Sequence, residues 1–314
     1  MTSSSRAILV LGAGELGTAI IEALFLNSHY SPGRVKLTLL VRPSTLSFPS
    51  KERKVQLDRL RDRGISFVGG DTDKDSLESL TELFRPYDTV IAAGGFTSAD
   101  GTQLKLAQAV IAAGTPLYFP WQYGLDYDTI GPRGGNGLFA EQCQVRDILR
   151  SQSKIEWVIV TVGIFTSFIF EDFWGVVNEH DDGTIKVTAL NSFDDSFTTT
   201  TAEDIGTAVA ELALNENEAR NKAVFIAGDT LTYDNFAEHV AQASGKKVIK
   251  ATRPLQVSED EAAADPDNKL KKYWLAFSQN RGYAWPKSTT WNAEKGIEMM
   301  DVRGWLTSQW SGRA

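Results

Sequence analysis

The sequence predicts an α/β fold: a Rossmann-type doubly wound parallel sheet followed by a smaller C-terminal α/β domain. Short apolar segments alternate with amphipathic ones through the first half, an order typical of a parallel sheet with helices on both faces. The first apolar segment, Ala7–Leu11, ends at a glycine-rich turn that opens a helix. After about residue 163 this rhythm changes. We therefore predict domains at residues 1–163 and 164–314, with strands of the sheet shared between them.

The first domain is predicted to alternate strands and helices. Its strands are Ala7–Leu11, Val35–Val41, Ile65–Val68, Thr89–Ala93, Leu117–Phe119 and Trp157–Val162. Its helices are Leu16–Asn27, Asp75–Phe84 with Asp73 or Asp75 as its cap, Thr102–Ala113 with Gly114 past its end, and Leu138–Arg150. Short connections and right-handed crossovers place the first glycine turn at the C-terminal edge of the sheet.

The second domain combines strands and helices less regularly. Its predicted strands are Ile185–Leu190 and Val224–Ala227, and its predicted helices are Thr201–Leu214, Tyr233–Ala243 and most of the tail from Glu259 to Gln309. Thr201 and Asp204 stand at capping-box spacing. We expect this domain to cover the edge of the sheet where a ligand would lie.

Gly12, Gly14 and Gly17 form the pattern Gly-x-Gly-x-x-Gly between the first strand and the first helix. Gly12 allows a tight turn, Gly14 lets the backbone approach a pyrophosphate, and Gly17 lets the helix pack close to the strand. The helix N-terminus offers N–H groups and a positive dipole end to phosphates. The alternative is a glycine-rich turn without a ligand, but the strand–helix–strand context favours a dinucleotide site.

The end of the second strand indicates which dinucleotide binds. An NAD site usually has an acid there, which binds the ribose 2′-hydroxyl. This chain has Arg42, and the next acid is Glu52. An arginine can stack on adenine and form a forked bond to a 2′-phosphate, so we predict NADPH, with Ser44, Thr45 and Lys51 as further contacts. The alternative is that Arg42 is only an exposed charge at a strand end.

Several motifs together resemble the NmrA-like, isoflavone-reductase-like atypical short-chain dehydrogenases, especially their fungal branch. The motifs are Gly12-Ala-Gly14-Glu-Leu-Gly17, Val41-Arg42, Gly70-Asp71, Phe119-Pro120-Trp-Gln-Tyr-Gly124-Leu-Asp126, Val145-Arg146, Glu156-Trp157 and Gly163-Ile-Phe165. The resemblance implies an NADPH-binding Rossmann domain, a small substrate domain and a cleft between them. It also implies reduction of phenylpropanoid or other aromatic natural products, although some relatives bind dinucleotide as regulators.

The glycine loop, the strand ends and this resemblance together define the predicted cofactor site. It comprises Gly12, Gly14, Glu15, Leu16, Gly17, Arg42, Lys51, Asp71, Gly94, Gly95, Phe96, Gln122 and Gly163. The cofactor expected there is NADPH.

The position that the family uses for proton transfer differs in this chain. The resemblance implies a lysine four residues before Arg146, where this sequence has Gln142. A glutamine amide can donate a hydrogen bond but cannot release a proton near neutral pH. A Tyr-x-x-x-Lys pair is also missing, since Tyr123 is followed four residues on by Tyr127. We therefore predict Gln142 as an orienting residue, with proton delivery by Asp126 or Tyr127, as substitutes for the lysine, or by water.

An aromatic cluster around residues 121–123 and 165–174 is the candidate substrate site. Aromatic side chains are most often core, but these segments follow sheet strands, where a Rossmann crevice opens. We expect about half of the cluster to line a pocket for a flat apolar ligand. The candidates are Trp121, Tyr123, Phe165, Phe168, Phe173 and Trp174.

Composition and charge argue against other classes of protein. The net charge of −8, without a long basic run, disfavours nucleic-acid and membrane partners. The three histidines are scattered, so no metal site is expected. A lone cysteine, Cys143, cannot form an internal disulfide, and the apolar run Ala7–Leu11 is too short for a signal or membrane segment. We expect a cytoplasmic location and leave the oligomeric state open.

Three functions remain open from the sequence. The first is an NADPH-dependent reductase of a small aromatic or conjugated metabolite, acting on C=C, C=O or C=N in secondary metabolism. The second is an enzyme on this scaffold whose key step is not hydride transfer, such as an iminium cyclisation or isomerisation. The third is a non-catalytic regulator that senses NADP(H). Gln142 favours the last two, whereas the aromatic cluster favours an enzyme.

Overall fold

The chain divides into two compact units, each assembled from separate stretches of sequence. This computed structural model describes residues 5–215 and 218–310. Unit 1 contains residues 5–122, 144–160, 205–215 and 218–224, and unit 2 contains residues 123–143, 161–204 and 225–310. We predicted one boundary at residue 163. The division is more complex because the chain returns to unit 1 after residue 204 and adds a helix and an edge strand there.

The helices and strands are numbered in chain order. The strands are β1 Arg6–Leu11, β2 Val35–Val41, β3 Ser66–Gly69, β4 Thr89–Ala92, β5 Leu117–Phe119, β6 Glu156–Thr161, β7 Ile164–Phe165, β8 Val177–Glu179, β9 Ile185–Leu190, β10 Ser196–Thr200, β11 Lys222–Phe225, β12 Asp229–Thr232 and β13 Val248–Arg253. The helices are α1 Glu15–Leu26, α2 Pro43–Ser47, α3 Lys51–Asp62, α4 Leu77–Phe84, α5 Thr102–Ala113, α6 Tyr127–Ile130, α7 Gly134–Gly137, α8 Ala140–Arg150, α9 Ala202–Leu214, α10 Tyr233–Ser244, α11 Leu255–Ala264, α12 Lys269–Ser278, α13 Trp291–Glu294 and α14 Val302–Trp310.

Unit 1 is built on a sheet that, in the described part of the chain, has seven strands in the order β11-β6-β5-β4-β1-β2-β3. Strand β1 pairs in parallel with β2 and β4, and the sheet continues in parallel through β3 on one side and through β5 and β6 on the other. The strand order reverses between β1 and β4, which is the switch point of a doubly wound sheet. The predicted fold class is confirmed.

The central strands form because most of their residues are apolar and buried. Ile8, Leu9 and Val10 are fully buried between the two helical layers, as expected for a parallel strand covered on both faces. Helix α5 ends where predicted, with Gly114 in the left-handed conformation (φ 72°). The predicted cap of α4 is wrong. Ser76 caps this helix by accepting a hydrogen bond from the backbone N–H of Ser79.

Several elements were not predicted because their sequence signals are weak. Helix α3 is rich in charge and buries only Leu57 and Leu60, so its apolar stripe is short. Strands β8, β10, β12 and β13 are short or polar. The tail is less helical than predicted, because turns and a short 3₁₀ segment separate α12, α13 and α14.

Unit 2 contains two small sheets, β12-β10-β7 and β13-β9-β8. Its core is aromatic, and Trp174 is among its largest fully buried side chains. The indole of Trp174 packs against Phe168, Tyr273 and Phe277, with ring centroids 5.2, 6.1 and 5.1 Å away. Trp174 therefore belongs to the core of this unit rather than to an exposed surface.

No helix within residues 5–215 and 218–310 is both long and apolar enough to cross a bilayer. In the same residues no group of three histidine, cysteine or acidic side chains could hold a metal ion. The cytoplasmic location and the lack of nucleic-acid partners stay predictions from the sequence.

Truncation of Trp174 tests whether this residue is core. We expect Trp174→Ala to lower the free energy of unfolding by about 3–5 kcal/mol, because it leaves a large cavity among packed rings. Phe173→Ala is the matched control, because this neighbouring side chain is 47% exposed and its loss should have a small effect. Urea denaturation measures both variants. Equal stability of Trp174→Ala and wild type would contradict the assignment of Trp174 to the core.

Candidate functional site

A cavity of about 370 Å³ lies in unit 1 where strands β1 to β4 end. It is lined by residues 11–14 after β1, 40–42 at the end of β2, Thr45, Arg53, Gly70, Thr72, Asp73, and 93–95, Thr97 and Ser98 after β4. The carboxyl ends of parallel strands meet at one edge of the sheet, and this edge at the switch point is where doubly wound folds bind ligands. The glycine loop therefore faces a cavity, as predicted.

Each glycine of the loop has a different local environment. Gly12 has φ +100°, which favours glycine. A Cβ on Gly17 would lie 2.0 Å from the carbonyl oxygen of Gly12, so only glycine lets α1 start this close to β1. A Cβ on Gly14 would meet nothing within 4 Å. Gly12 and Gly17 are thus required by the fold, whereas Gly14 leaves open space for a ligand.

The first turn of α1 can face a ligand mainly through its backbone. Glu15 begins the helix and is exposed, whereas the side chain of Leu16 is buried. Gly14, the N-cap, supplies no side-chain oxygen to the N–H groups of this turn. These groups and the positive end of the helix dipole suit an anion.

Two guanidinium groups line the same cavity. Arg42 follows β2, and its side chain is 63% exposed. Arg53 lies on α3 and donates from Nη1 to the carbonyl oxygen of Ala13 at 2.5 Å and to Oε1 of Gln56. Gln56 in turn donates to Thr18 at 2.7 Å, so Arg53 is held against the glycine loop. These cations give one part of the lining a preference for anions.

Arg53 was not singled out in the sequence because α3 was not predicted. Lys51, which was, is exposed at the start of that helix, and Arg53 rather than Lys51 lines the cavity. A usable signal existed, since Ser50 caps α3 by accepting from the backbone N–H of Arg53 at 3.2 Å. A serine at this position indicates where the helix begins, and that start places Arg53 in its first turn.

The segment after β3 adds one carboxylate to the lining. Asp73 accepts from the backbone N–H of Ala99 at 3.1 Å and from Thr102 Oγ1 at 2.9 Å, and its other oxygen lies 3.5 Å from Arg42 Nη2. Asp71 instead shapes the turn, because its Oδ1 accepts from the backbone N–H groups of Asp73 and Lys74. The predicted residue Asp71 therefore lies beside the cavity and supports it.

The segment after β4 contacts an indole. Gly94 and Gly95 line the cavity, and a Cβ on Gly95 would lie 2.2 Å from a ring carbon of Trp121. The indole of Trp121 therefore packs directly against this backbone. Phe96 is 47% exposed and is not among the lining residues.

Gln122 has a structural contact in unit 1. Its side chain is fully buried, and its Oε1 accepts from Nε of Arg146 at 2.9 Å. The buried Gln103, which the sequence analysis did not identify, donates to the carbonyl oxygen of Gly94 at 3.4 Å. Gln103 therefore holds cavity backbone, whereas Gln122 bonds to a buried side chain outside the cavity lining.

The candidates for proton transfer, Asp126, Tyr127 and Gln142, lie in unit 2. The carboxylate of Asp126 caps α6, accepting from the backbone N–H groups of Asp128 and Thr129 and from Thr129 Oγ1 at 2.5 Å. Tyr127 is buried against Phe139, with ring centroids 4.9 Å apart.

The hydroxyl of Tyr127 occupies the space beside Gly124. A Cβ on Gly124 would lie 2.4 Å from that oxygen. Gln142 is half-buried on α8, one helical turn before Arg146. Gly163 has φ +76°, and a Cβ there would lie 2.1 Å from the carbonyl oxygen of Thr198, so packing within unit 2 requires this glycine.

The predicted aromatic set divides by burial. Tyr123 and Trp174 are buried, Trp121, Phe165 and Phe168 are half-buried, and Phe173 is exposed.

Two other buried tyrosines have raised pKa values. Burial raises the pKa of Tyr273 to about 12 and the pKa of Tyr118 further above its ordinary value. Neither phenol can therefore act as a base near neutral pH.

Substitution at two loop glycines tests the geometry of the turn. We expect Gly17→Ala to lower the free energy of unfolding by about 1–3 kcal/mol or more, because the added methyl group overlaps the Gly12 carbonyl. Gly14→Ala should change it by less than about 1 kcal/mol, since φ is −75° and the space is open. Chemical denaturation of the two variants measures the difference. Equal losses in both would contradict this geometry.

Comparison with known proteins supports the resemblance noted from the sequence. Residues 4–282 match the NmrA-like family. An NmrA-like family domain-containing oxidoreductase from Gibberella moniliformis is 40% identical over 309 residues, covering 96% of this chain and 97% of that protein. Phenylcoumaran benzylic ether reductase 1 from Arabidopsis thaliana is 28% identical over 239 residues, covering 74% and 72%.

Solved structures share the fold at lower identity. A crystal structure of isoflavone reductase has a TM-score of 0.74 at 20% identity and covers 98% of this chain and 100% of its own. The binary complex of leucoanthocyanidin reductase and NADPH from Vitis vinifera has a TM-score of 0.72 at 15% identity, covering 97% and 99%. The family match spans most of the sequence, and the Gibberella relative aligns along nearly all of it. The chain therefore belongs to the NmrA-like family.

Proposed function

We propose that this protein is an NADPH-dependent reductase of a small aromatic or conjugated metabolite. The observation that carries the proposal is the cavity at the strand ends, which combines the open glycine loop at Gly14 with the guanidinium groups of Arg42 and Arg53. Relatives that include phenylcoumaran benzylic ether reductases and isoflavone reductases support both the reaction class and an aromatic substrate.

The residues present fit this cofactor. The open space at Gly14 and the N-terminal turn of α1 suit the pyrophosphate. Arg42 and Arg53 would hold the 2′-phosphate, because guanidinium groups form forked hydrogen bonds to phosphate oxygens. Arg53 is fixed by Ala13 and Gln56, whereas the exposed Arg42 can turn toward the ligand. The donor set therefore favours NADPH over NADH.

When bound, NADPH supplies a hydride. The Gly94–Gly95 backbone, which the Trp121 indole contacts, would border the bound cofactor. The Gln142 amide remains our candidate for donating a hydrogen bond to a polar atom of the substrate. The Asp126 carboxylate caps α6, and Tyr127 is packed against Phe139. We therefore assign proton delivery to water.

A second candidate function follows from Gln142. The resemblance implies a lysine at this position, and an acid–base residue typically contributes about 10²–10⁴-fold to a rate. Its replacement by an amide supports an NADP(H)-binding protein whose main role is not hydride transfer, namely a regulator or an isomerase-like enzyme. Turnover measurements separate this candidate from a reductase.

Cofactor binding is the primary test. Titration calorimetry should show tighter binding of NADPH than of NADH. Arg42→Ala should weaken NADPH binding by about 1.5–3 kcal/mol, the effect of a lost charged hydrogen-bond partner, and change NADH binding little. Lys51→Ala is the matched control, because this exposed lysine is outside the cavity lining. Gly14→Val should abolish binding of both cofactors without unfolding the chain. Equal affinity of the wild type for NADPH and NADH would refute the cofactor assignment.

Turnover tests the role of Gln142. With a panel of phenylpropanoid ethers and conjugated carbonyl or imine compounds, NADPH absorbance and product mass report reduction. Gln142→Ala should lower kcat by roughly tenfold, the effect of a lost orienting amide, while NADPH affinity stays unchanged. Gln144→Ala, at an exposed position of the same helix, should have no effect. If Gln142→Ala turns over like the wild type, Gln142 is outside the active site. Absence of turnover with every compound favours the second candidate.

A further inference from the structure

We propose that Asp73 weakens the protein's preference for NADPH by competing with the cofactor's 2′-phosphate for Arg42. This inference rests on the proposed function, and it identifies Asp73 as a residue that opposes NADPH binding. Among the described residues that line the cavity, the cations are Arg42 and Arg53, and the acid is Asp73. Arg42, which would bind the 2′-phosphate, therefore already forms an ion pair with Asp73.

The carboxylate of Asp73 is held in place from one side. Oδ1 accepts from the backbone N–H of Ala99 at 3.1 Å and from Thr102 Oγ1 at 2.9 Å. Its main chain is also fixed, because Lys105 Nζ donates to the carbonyl oxygens of Asp73 and Asp75 at 3.0 and 2.8 Å. Asp73 therefore cannot easily withdraw from the cavity.

The other side of the carboxylate faces the arginine. Oδ2 lies 3.5 Å from Arg42 Nη2, and the side chain of Asp73 is 20% exposed while that of Arg42 is 63% exposed. Asp73 is therefore held in place by its hydrogen bonds, whereas the side chain of Arg42 is largely exposed to solvent. A ligand that binds Arg42 therefore also lies close to the Asp73 carboxylate, because the hydrogen bonds of Asp73 keep it from moving away.

This arrangement distinguishes the two cofactors by charge. A phosphate that shares Arg42 with Asp73 brings two anions to one guanidinium, and their repulsion is only partly screened at a half-buried carboxylate. NADH has a 2′-hydroxyl instead, which can donate to a carboxylate, as it does to the acid of NAD sites. Asp73 thus disfavours NADPH without disfavouring NADH.

Asp73→Asn tests the proposal, since the amide oxygen can still accept from Ala99 and Thr102 while the charge is removed. We expect titration calorimetry to show three- to tenfold tighter NADPH binding, NADH binding that stays within twofold or weakens, and a smaller NADPH gain at about 0.5 M NaCl. The matched control is Asp100→Asn, which removes an exposed charge from the loop after β4, next to Ala99 but outside the cavity lining. It should leave both affinities within twofold.

Unchanged or weaker NADPH binding in Asp73→Asn overturns the inference, as does an equal gain for NADPH and NADH or a gain that salt does not reduce. A thermal melt checks that the variant is folded. If it is not, Asp73→Ser removes the same charge with a smaller side chain and is measured in its place. Wild-type protein that binds no NADPH refutes the proposed function and this inference together, whereas wild-type binding without the Asp73→Asn gain refutes this inference alone.

Discussion

The close approach of Gly17 to the carbonyl oxygen of Gly12 is the contact on which the rest of the candidate site depends. A Cβ would lie 2.0 Å from that oxygen, so α1 can begin directly beyond β1 only with glycine at this position. The contact directs the N-terminal turn of the helix toward the edge of the sheet, where the strands on either side of the switch point also end. The open space at Gly14 and the anchor of Arg53 on the Ala13 carbonyl both follow from that turn.

The charged side chains of the cavity differ in how firmly the surrounding protein holds them. Arg53 is fixed by two hydrogen bonds and Asp73 by another two, whereas Arg42 is largely exposed. Fixed groups set the local potential without further ordering when a ligand arrives, whereas an exposed arginine loses more rotamer freedom on binding. Under the proposed function, the preference for a phosphorylated ribose depends on the fixed charges of Arg53 and Asp73 and on the exposed Arg42.

Sequence reasoning succeeded where a local pattern determines structure and failed where tertiary contacts do. Strand β2 and helix α5 were predicted with their observed bounds, because the mostly apolar segment Val35–Val41 and the glycine at residue 114 are local signals. Arg53 was missed because α3 buries little apolar surface. Asp126 has the polarity of a catalytic acid, but its capping of α6 depends on a four-residue helix that no periodicity reveals. Gln122 likewise belongs to a buried contact with Arg146, which lies 24 residues away in the chain.

Under the proposed function, Gln142 restricts the kind of acceptor that the protein reduces. A neutral carbonyl or ether acquires negative charge as hydride arrives or a C–O bond breaks, and a nearby acid lowers that barrier by supplying a proton. An amide can only stabilise the developing charge through a hydrogen bond. Replacing the acid by an amide costs the least rate for an acceptor that already carries positive charge, such as an iminium. The same holds for an acceptor that spreads negative charge over a long conjugated system. In that role the Gln142 amide would favour activated C=N or extended conjugated substrates over ethers.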